Sequence, residues 1–133
     1  MRVVLDTNIF ISGIFWTGSS HTIIRSWKEA NFELVSSLST ISEIIAVLRD
    51  FKIRLPDEMI TEWVDLIIKN SIIVEPKEKI NIIKDDPTDN MFLESASAGN
   101  AEYIISQNKH LLNVKEFRGI KIITPEEFIK ILN

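Results

Sequence analysis

The chain has 133 residues and a formal net charge of −4, and at 45% hydrophobic and 26% charged it lies outside the disordered and fibrous classes. It contains no cysteine, which removes disulfides, zinc ribbons and thiol catalysis, and its two histidines, His21 and His110, are too few for a histidine-rich zinc site. The longest unbroken apolar run, Ile44–Leu48, is far short of a membrane span. Met1–Asp6 reaches an acid before a signal-peptide core could form, so a cytoplasmic protein with no membrane attachment is expected. The acidic balance argues against binding nucleic acid by bulk charge, and a polynucleotide substrate would need a local basic patch or metal ions.

No repeat or Pro/Gly-rich linker divides the chain, and a single domain over residues 1–133 is expected. Arg2–Leu5 reads as a short buried strand, β-branched in part and ended by Asp6-Thr7-Asn8. Asn8–Phe15 suits a helical turn before the Trp16–Ser20 loop, and a helix is predicted over about Ser20–Ala30. Phe32–Ser36 forms the second strand, and Ile41, Ile44, Ile45 and Leu48 mark a helix over Ile41–Phe51. Pro56 suits the first turn of the next helix, whose inner face reads Met59, Trp63, Leu66 and Ile67. Ser71–Val74 is a strand, and Asp86-Pro87-Thr88-Asp89 begins a helix ended by Gly99. Tyr103–Ser106 and Lys121–Ile123 are the last strands, and Thr124-Pro125-Glu126-Glu127 caps the final helix. Strands alternating with helices define an α/β fold with a parallel sheet, in which ligands collect at the carboxyl ends of the strands.

Four residues stand at such ends or at helix starts. Asp6 directly follows an apolar strand, where a carboxylate is costly to desolvate without a partner; it suits either a helix cap or a site. Glu43 completes the pattern Thr40-Ile41-Ser42-Glu43, and by that pattern alone it is a capping-box acid. Asp89 begins the stripe Asp89, Phe92, Leu93, Ala96 and so faces the protein body, which a favourable helix dipole does not explain. Asn108 follows the Tyr103–Ser106 strand as Asp6 follows the first, although a turn or cap is the simpler account of it. Three acids meeting at one sheet edge would repel by roughly 3 kcal/mol per pair at about 5 Å and an effective dielectric of about 20. A hard divalent cation relieves that repulsion, all-oxygen ligation points to magnesium or manganese, and such a site suits phosphodiester hydrolysis. The sequence carries no Gly-rich phosphate loop and no GxSxG elbow.

Val3-Val4-Leu5-Asp6-Thr7-Asn8, Leu38-Ser39-Thr40-Ile41-Ser42-Glu43-Ile44-Ile45, and Asp86-Pro87-Thr88-Asp89-Asn90-Met91-Phe92-Leu93-Glu94 together resemble the PIN-domain ribonucleases. Ala101–Ser106, Lys109-His110-Leu111-Leu112 and Ile122–Phe128 extend the resemblance over nearly the whole chain, and its nearest branch is the toxins of prokaryotic toxin–antitoxin pairs. The resemblance implies a three-layer α/β/α sandwich around a parallel sheet of about five strands. It gives Asp6, Glu43 and Asp89 the catalytic, metal-binding roles with Mg²⁺ or Mn²⁺, which turns Glu43 from a cap into a ligand. Thr7, Asn8 and Ser106 would orient carboxylates or water. Asn108 stands where the family usually carries a fourth acid; its amide oxygen can ligate magnesium but brings no charge, so one firmly bound metal is expected rather than two. Lys109 beside Asn108, and Arg49, Lys52 and Arg54 at the end of the Glu43 helix, are the candidate RNA phosphate contacts, although a solvated helix end also accounts for the latter three. Trp16, Trp27 and Trp63 could stack on bases or simply pack in the core.

The expectation is therefore a metal-dependent endoribonuclease, acting as a homodimer and blocked by a cognate antitoxin. The alternatives are a catalytically weakened PIN scaffold that binds RNA or protein, and, further off, a phosphoacceptor of receiver type with Asp6 and Lys109.

Overall fold

The computed structural model describes residues 1–50 and 55–133. Its elements run β1 (Arg2–Leu5), α1 (Thr7–Phe15), α2 (Ser19–Lys28), β2 (Glu33–Ser37), α3 (Leu38–Asp50), α4 (Asp57–Lys69) and β3 (Ser71–Val74). A 3₁₀ turn (Pro87–Asp89) leads into α5 (Asn90–Ala98), followed by β4 (Tyr103–Ile105), α6 (Lys109–Leu112), β5 (Glu116–Phe117), β6 (Ile120–Ile123) and α7 (Pro125–Leu132).

The strands form one six-stranded sheet in the order β3-β2-β1-β4-β6-β5, parallel except for the β5–β6 pair. Side chains alternate across it, as strand geometry requires. Val3, Leu5, Leu34 and Ile105 face a layer built from α1, α2, α3, α4 and α7, where Phe10, Ile23, Leu48 and Phe128 are buried. Val4, Val35, Ile104 and Ile122 face the opposite layer, with Phe92, Leu93, Ala96 and Leu111 of α5 and α6. A sheet apolar on both faces is the reason its strands read as unbroken hydrophobic runs. The outcome is the three-layer sandwich.

The sheet exceeds the expected five strands by β5. Two residues long, it folds back on β6 through a tight turn at Arg118 (φ 53°) and Gly119 (φ 83°), and a pair so short leaves no periodicity to read. Pro56 stands one position earlier than expected, as the residue before α4, where its fixed φ suits the entry equally well. The inner face of α4 is also displaced: Ile60 and Ile67 are buried with Trp63, Val64 and Leu66 partly so, whereas Met59 is exposed. Phe51 and the cations Lys52 and Arg54 lie outside the described residues.

Chain order places the site. From β1 the chain builds β2 and β3 on one side, then crosses to β4 on the other, so the carboxyl ends of β1 and β4 adjoin at the switch point of the sheet. The amide of Asp6 donates to the Ile105 carbonyl (3.0 Å), and that of Ser106 to the Ile123 carbonyl (3.0 Å), carrying the registry one residue past each strand.

The packing of α1 on α2 depends on Gly13, where a Cβ would stand 2.5 Å from Ile24 Cγ1 and 2.9 Å from the Ser20 carbonyl oxygen. Gly13→Ala gains about 1 kcal/mol of helix propensity but meets an overpacking cost of about 1–3 kcal/mol, and the backbone contact puts it at the upper end. Net destabilisation of about 1–2 kcal/mol is expected in urea unfolding; an unchanged midpoint would show that the two helices separate at no cost.

Candidate active site

Asp6 is both a cap and part of a cluster. Its Oδ1 accepts from the Asn8 N–H (3.3 Å) at the start of α1, while its Oδ2 accepts from the Ser106 hydroxyl at 2.6 Å. The Asn8 side chain is exposed, so the contribution of that residue is its backbone. Thr7, buried, turns its hydroxyl to Glu43 Oε1 at 2.6 Å.

Glu43 does not cap its helix. The box stands three residues earlier: Ser37 Oγ accepts the Thr40 N–H (3.3 Å), and Thr40 Oγ1 accepts the Ser37 N–H (3.0 Å). Because β2 passes directly into α3 at Leu38, Glu43 falls in the second turn, where no orphan backbone N–H needs it. Its carboxylate is thereby left to Thr7. At Thr124 the expected capping box with Glu127 is present.

Asp89 ends the 3₁₀ turn, buried, as its place on the inner stripe required. Asp86 caps that turn, accepting from the Thr88 N–H (3.3 Å) and hydroxyl (2.6 Å). The Asn108 Nδ2 donates to Asp89 Oδ2 at 2.8 Å. Asn108 is also the N-cap of α6, its Oδ1 accepting the His110 N–H (2.9 Å), and its own N–H donates to Ser106 Oγ (2.9 Å). The chain Asp6–Ser106–Asn108–Asp89 thus joins the ends of β1 and β4 to the head of α5.

The acids feel one another. Burial, the largest influence, pushes the Asp6 carboxyl above its ordinary range, Glu43 adds to the rise, and the hydrogen bonds from Ser106, Asn8 and Thr7 oppose it. Burial likewise raises Asp89, opposed by Asn108 and reinforced by Asp86, Asp6 and Glu43. The hydroxyls and carboxylates around these groups are oxygen donors suited to a hard cation, whereas Asn108 turns its Nδ2 to Asp89 and spends its Oδ1 on the α6 cap. Among the described residues, however, no three acidic or histidine side chains stand as a closed metal shell. Each carboxylate is turned to a side-chain donor, Asp6 to Ser106, Glu43 to Thr7 and Asp89 to Asn108.

Of the expected RNA contacts, Lys109 is exposed at the head of α6 next to Asn108, and Arg49 is exposed in the last turn of α3, six residues beyond Glu43. Trp27 is core, edge-on to Phe10 (6.0 Å) and bonded through Nε1 to the Asn70 carbonyl (3.1 Å); Trp63 lies under Lys28 Nζ (4.4 Å). Trp16 is 52% exposed.

Sequence reasoning passed over Asn90. Buried beside Asp89, it accepts from the N–H groups of Ile82 (3.1 Å) and Ile83 (2.9 Å) and donates to the carbonyls of Ile83 and Pro87 (both 2.9 Å). Every hydrogen-bonding position commonly used by an amide is taken, and the irregular segment before Asp89 is stapled to α5. Ser95 does the same between layers, its hydroxyl 2.9 Å from that of Ser37. An Asn directly after Asp-Pro-Thr-Asp was the available signal.

The fold is a three-layer α/β domain with its acids gathered at the switch point of the sheet. The family model described as PIN domain matches residues 2–110, and the chain belongs to the PIN-domain family. Members of this family are typically nucleases and generally use divalent metals. No curated protein matches the chain. No helix among the described residues is long and apolar enough to cross a membrane.

Two outcomes follow. With Asp89 raised in the folded protein, the native state keeps a proton that the unfolded chain releases near the ordinary value of 3.8, so its ionisation weakens folding as pH rises through that window. In EDTA, Asp89→Asn is therefore expected to be more stable than wild type at about pH 7, the difference shrinking as the pH falls to about 4. A difference constant across that range would contradict the burial of Asp89. Asn90→Ala should cost about 3 kcal/mol, because it strands buried backbone groups; a loss under about 0.5 kcal/mol would remove Asn90 as the staple.

Proposed function

We propose that the chain is a Mg²⁺- or Mn²⁺-dependent endoribonuclease, and that Asp6, Glu43 and Asp89 hold the metal. The observation that carries this is the convergence of three carboxylates from three separate carboxyl-edge segments, two of them buried, with hydroxyls, amides and other acids as their neighbours. A divalent cation bound there would supply positive charge against the scissile phosphate and lower the pKa of a water.

The remaining parts belong to the chain. Ser106 and the Asn8 N–H fix the two oxygens of Asp6, Thr7 fixes Glu43, and Asn108 fixes Asp89, so that each carboxylate presents a defined lone pair. Lys109, solvent-exposed one residue from Asn108, is placed to hold a backbone phosphate of single-stranded RNA. In keeping with the resemblance to toxins of toxin–antitoxin pairs, the active form is a homodimer and a cognate antitoxin protein silences it.

Asn108 favours the second reading, a weakened scaffold that binds RNA or protein without cutting, because its amide supplies no charge where the family usually has an acid. Cleavage separates the two. Incubated with single-stranded RNA and manganese, wild type is expected to cut, EDTA to stop it, and Asp6→Asn, whose amide still caps α1, to abolish it while keeping the wild-type circular-dichroism spectrum. Ser106→Ala should weaken metal binding about 10- to 100-fold, read by calorimetric titration of manganese. Cutting by Asp6→Asn at the wild-type rate excludes Asp6. Tight RNA binding with no cleavage at saturating manganese, cured by Asn108→Asp, establishes the scaffold.

A further inference from the structure

The two edges of the sheet differ in how they are protected. β5 ends one side as a two-residue strand between Lys115 and Arg118, short and charged at both flanks, which blunts it against a further strand. β3 ends the other side as Ser71-Ile72-Ile73-Val74, with no charge, proline or glycine in it. Its pairing with β2 is unbroken over these residues, and among the described residues no backbone group bonds to its outer edge. An apolar edge of this kind is a template for another strand.

Apolar surface lies on one side of that edge. Ile72 and Val74 turn to the α5 layer, so alternation turns Ser71 and Ile73 to the side of α3 and α4. Ile73 is 42% exposed, and Leu38, at the first position of α3, is 76% exposed, the most of any large apolar residue described. With Val74 and Pro76 these two residues border an open groove of about 440 Å³. Ile68, 49% exposed, lies in the last turn of α4, just ahead of β3.

The charges show what the edge accepts. Lys69 stands shortly before β3 and Glu75 directly after it, and both are exposed. Among the described residues Lys69 has no ion-pair partner, and Glu75 meets only Lys77, at 3.4 Å with both side chains in solvent. A cation at the amino end and an anion at the carboxyl end make this strand complementary to an antiparallel copy of itself. A parallel copy would set like charges side by side.

Resting on the homodimer proposed above, we propose that two copies join through β3, antiparallel about a two-fold axis normal to the sheet, so that their sheets become one. Each Lys69 meets Glu75 of the second copy. Such an axis keeps the α3–α4 layers of both copies on one face, and it brings Ile68 of the second copy to the groove beside Leu38 and Ile73. The carboxyl edges then point in opposite directions, and the two acid clusters open on opposite sides of the dimer.

Sedimentation velocity without RNA or metal tests this. Wild type is expected to be a dimer at tens of micromolar. Ile73→Glu, at a position already open to water, is expected to sediment as a monomer with the wild-type circular-dichroism spectrum. Lys69→Glu and Glu75→Lys should each weaken association about tenfold, since like charges then face each other at both ends. Mixed together, those two variants should recover the wild-type affinity as a heterodimer in which both ends again pair opposite charges, a recovery that damage to either fold does not produce. Wild type monomeric at every concentration overturns both this edge and the homodimer. A dimer indifferent to Ile73→Glu, or charge variants that do not recover on mixing, overturns the edge while the homodimer stands. Cleavage enters none of these readouts, so the nuclease is judged separately.

Discussion

Two aspartates kept almost wholly out of water at one edge of a parallel sheet, with a glutamate close enough to raise both of them further, set the terms for the rest of this molecule. Anionic groups in that position are tolerated only if donors or cations meet them. The fold supplies donors first. A hydroxyl one residue past β4, a hydroxyl from α1 and an amide from the start of α6 each take one carboxylate, and each also has a structural duty as strand extension, helix entry or cap.

Holding those groups in place falls to polar contacts inside an otherwise apolar body. The Ser37–Ser95 pair joins the foot of α3 to the middle of α5, so the helices bearing Glu43 and following Asp89 cannot drift apart without opening the core. Asn90 binds the unstructured stretch ahead of Asp89 to the same helix. Close approach serves the same end at Gly99, where a Cβ would stand 2.6 Å from Val35 Cγ1 on β2. Rigidity near a charged cluster is expected of sites that must not relax when a ligand arrives.

Much of this was legible before any coordinates. The apolar run Val3-Val4-Leu5 announced a strand buried on both faces, and Asp89 at the head of an apolar helical stripe announced a buried acid, because both depend on periodicity alone. Glu43 was misread from pattern because Ser37 and Thr40 make an equally good box three residues earlier. Which box forms depends on where β2 stops, a matter of sheet register rather than local sequence. The β5–β6 hairpin escaped notice because two residues carry no period, although Arg118-Gly119 fits the turn. The Asn108–Asp89 bond and the pairing of Thr7 with Glu43 span 19 and 36 residues, and contacts of that kind are set by topology.

The hydrogen bond between Ser106 and Asp6 closes a loop of 100 residues. β1, the central strand, is made before its neighbour β4, with β2 and β3 translated between them. Until β4 follows, the nascent chain has one side of its middle strand unpaired, and Asp6 has only its helix-capping bond from the Asn8 N–H. Synthesis therefore sets the order of assembly: Asp6 meets Ser106, and Asp89 meets Asn108, only after β4 has been translated.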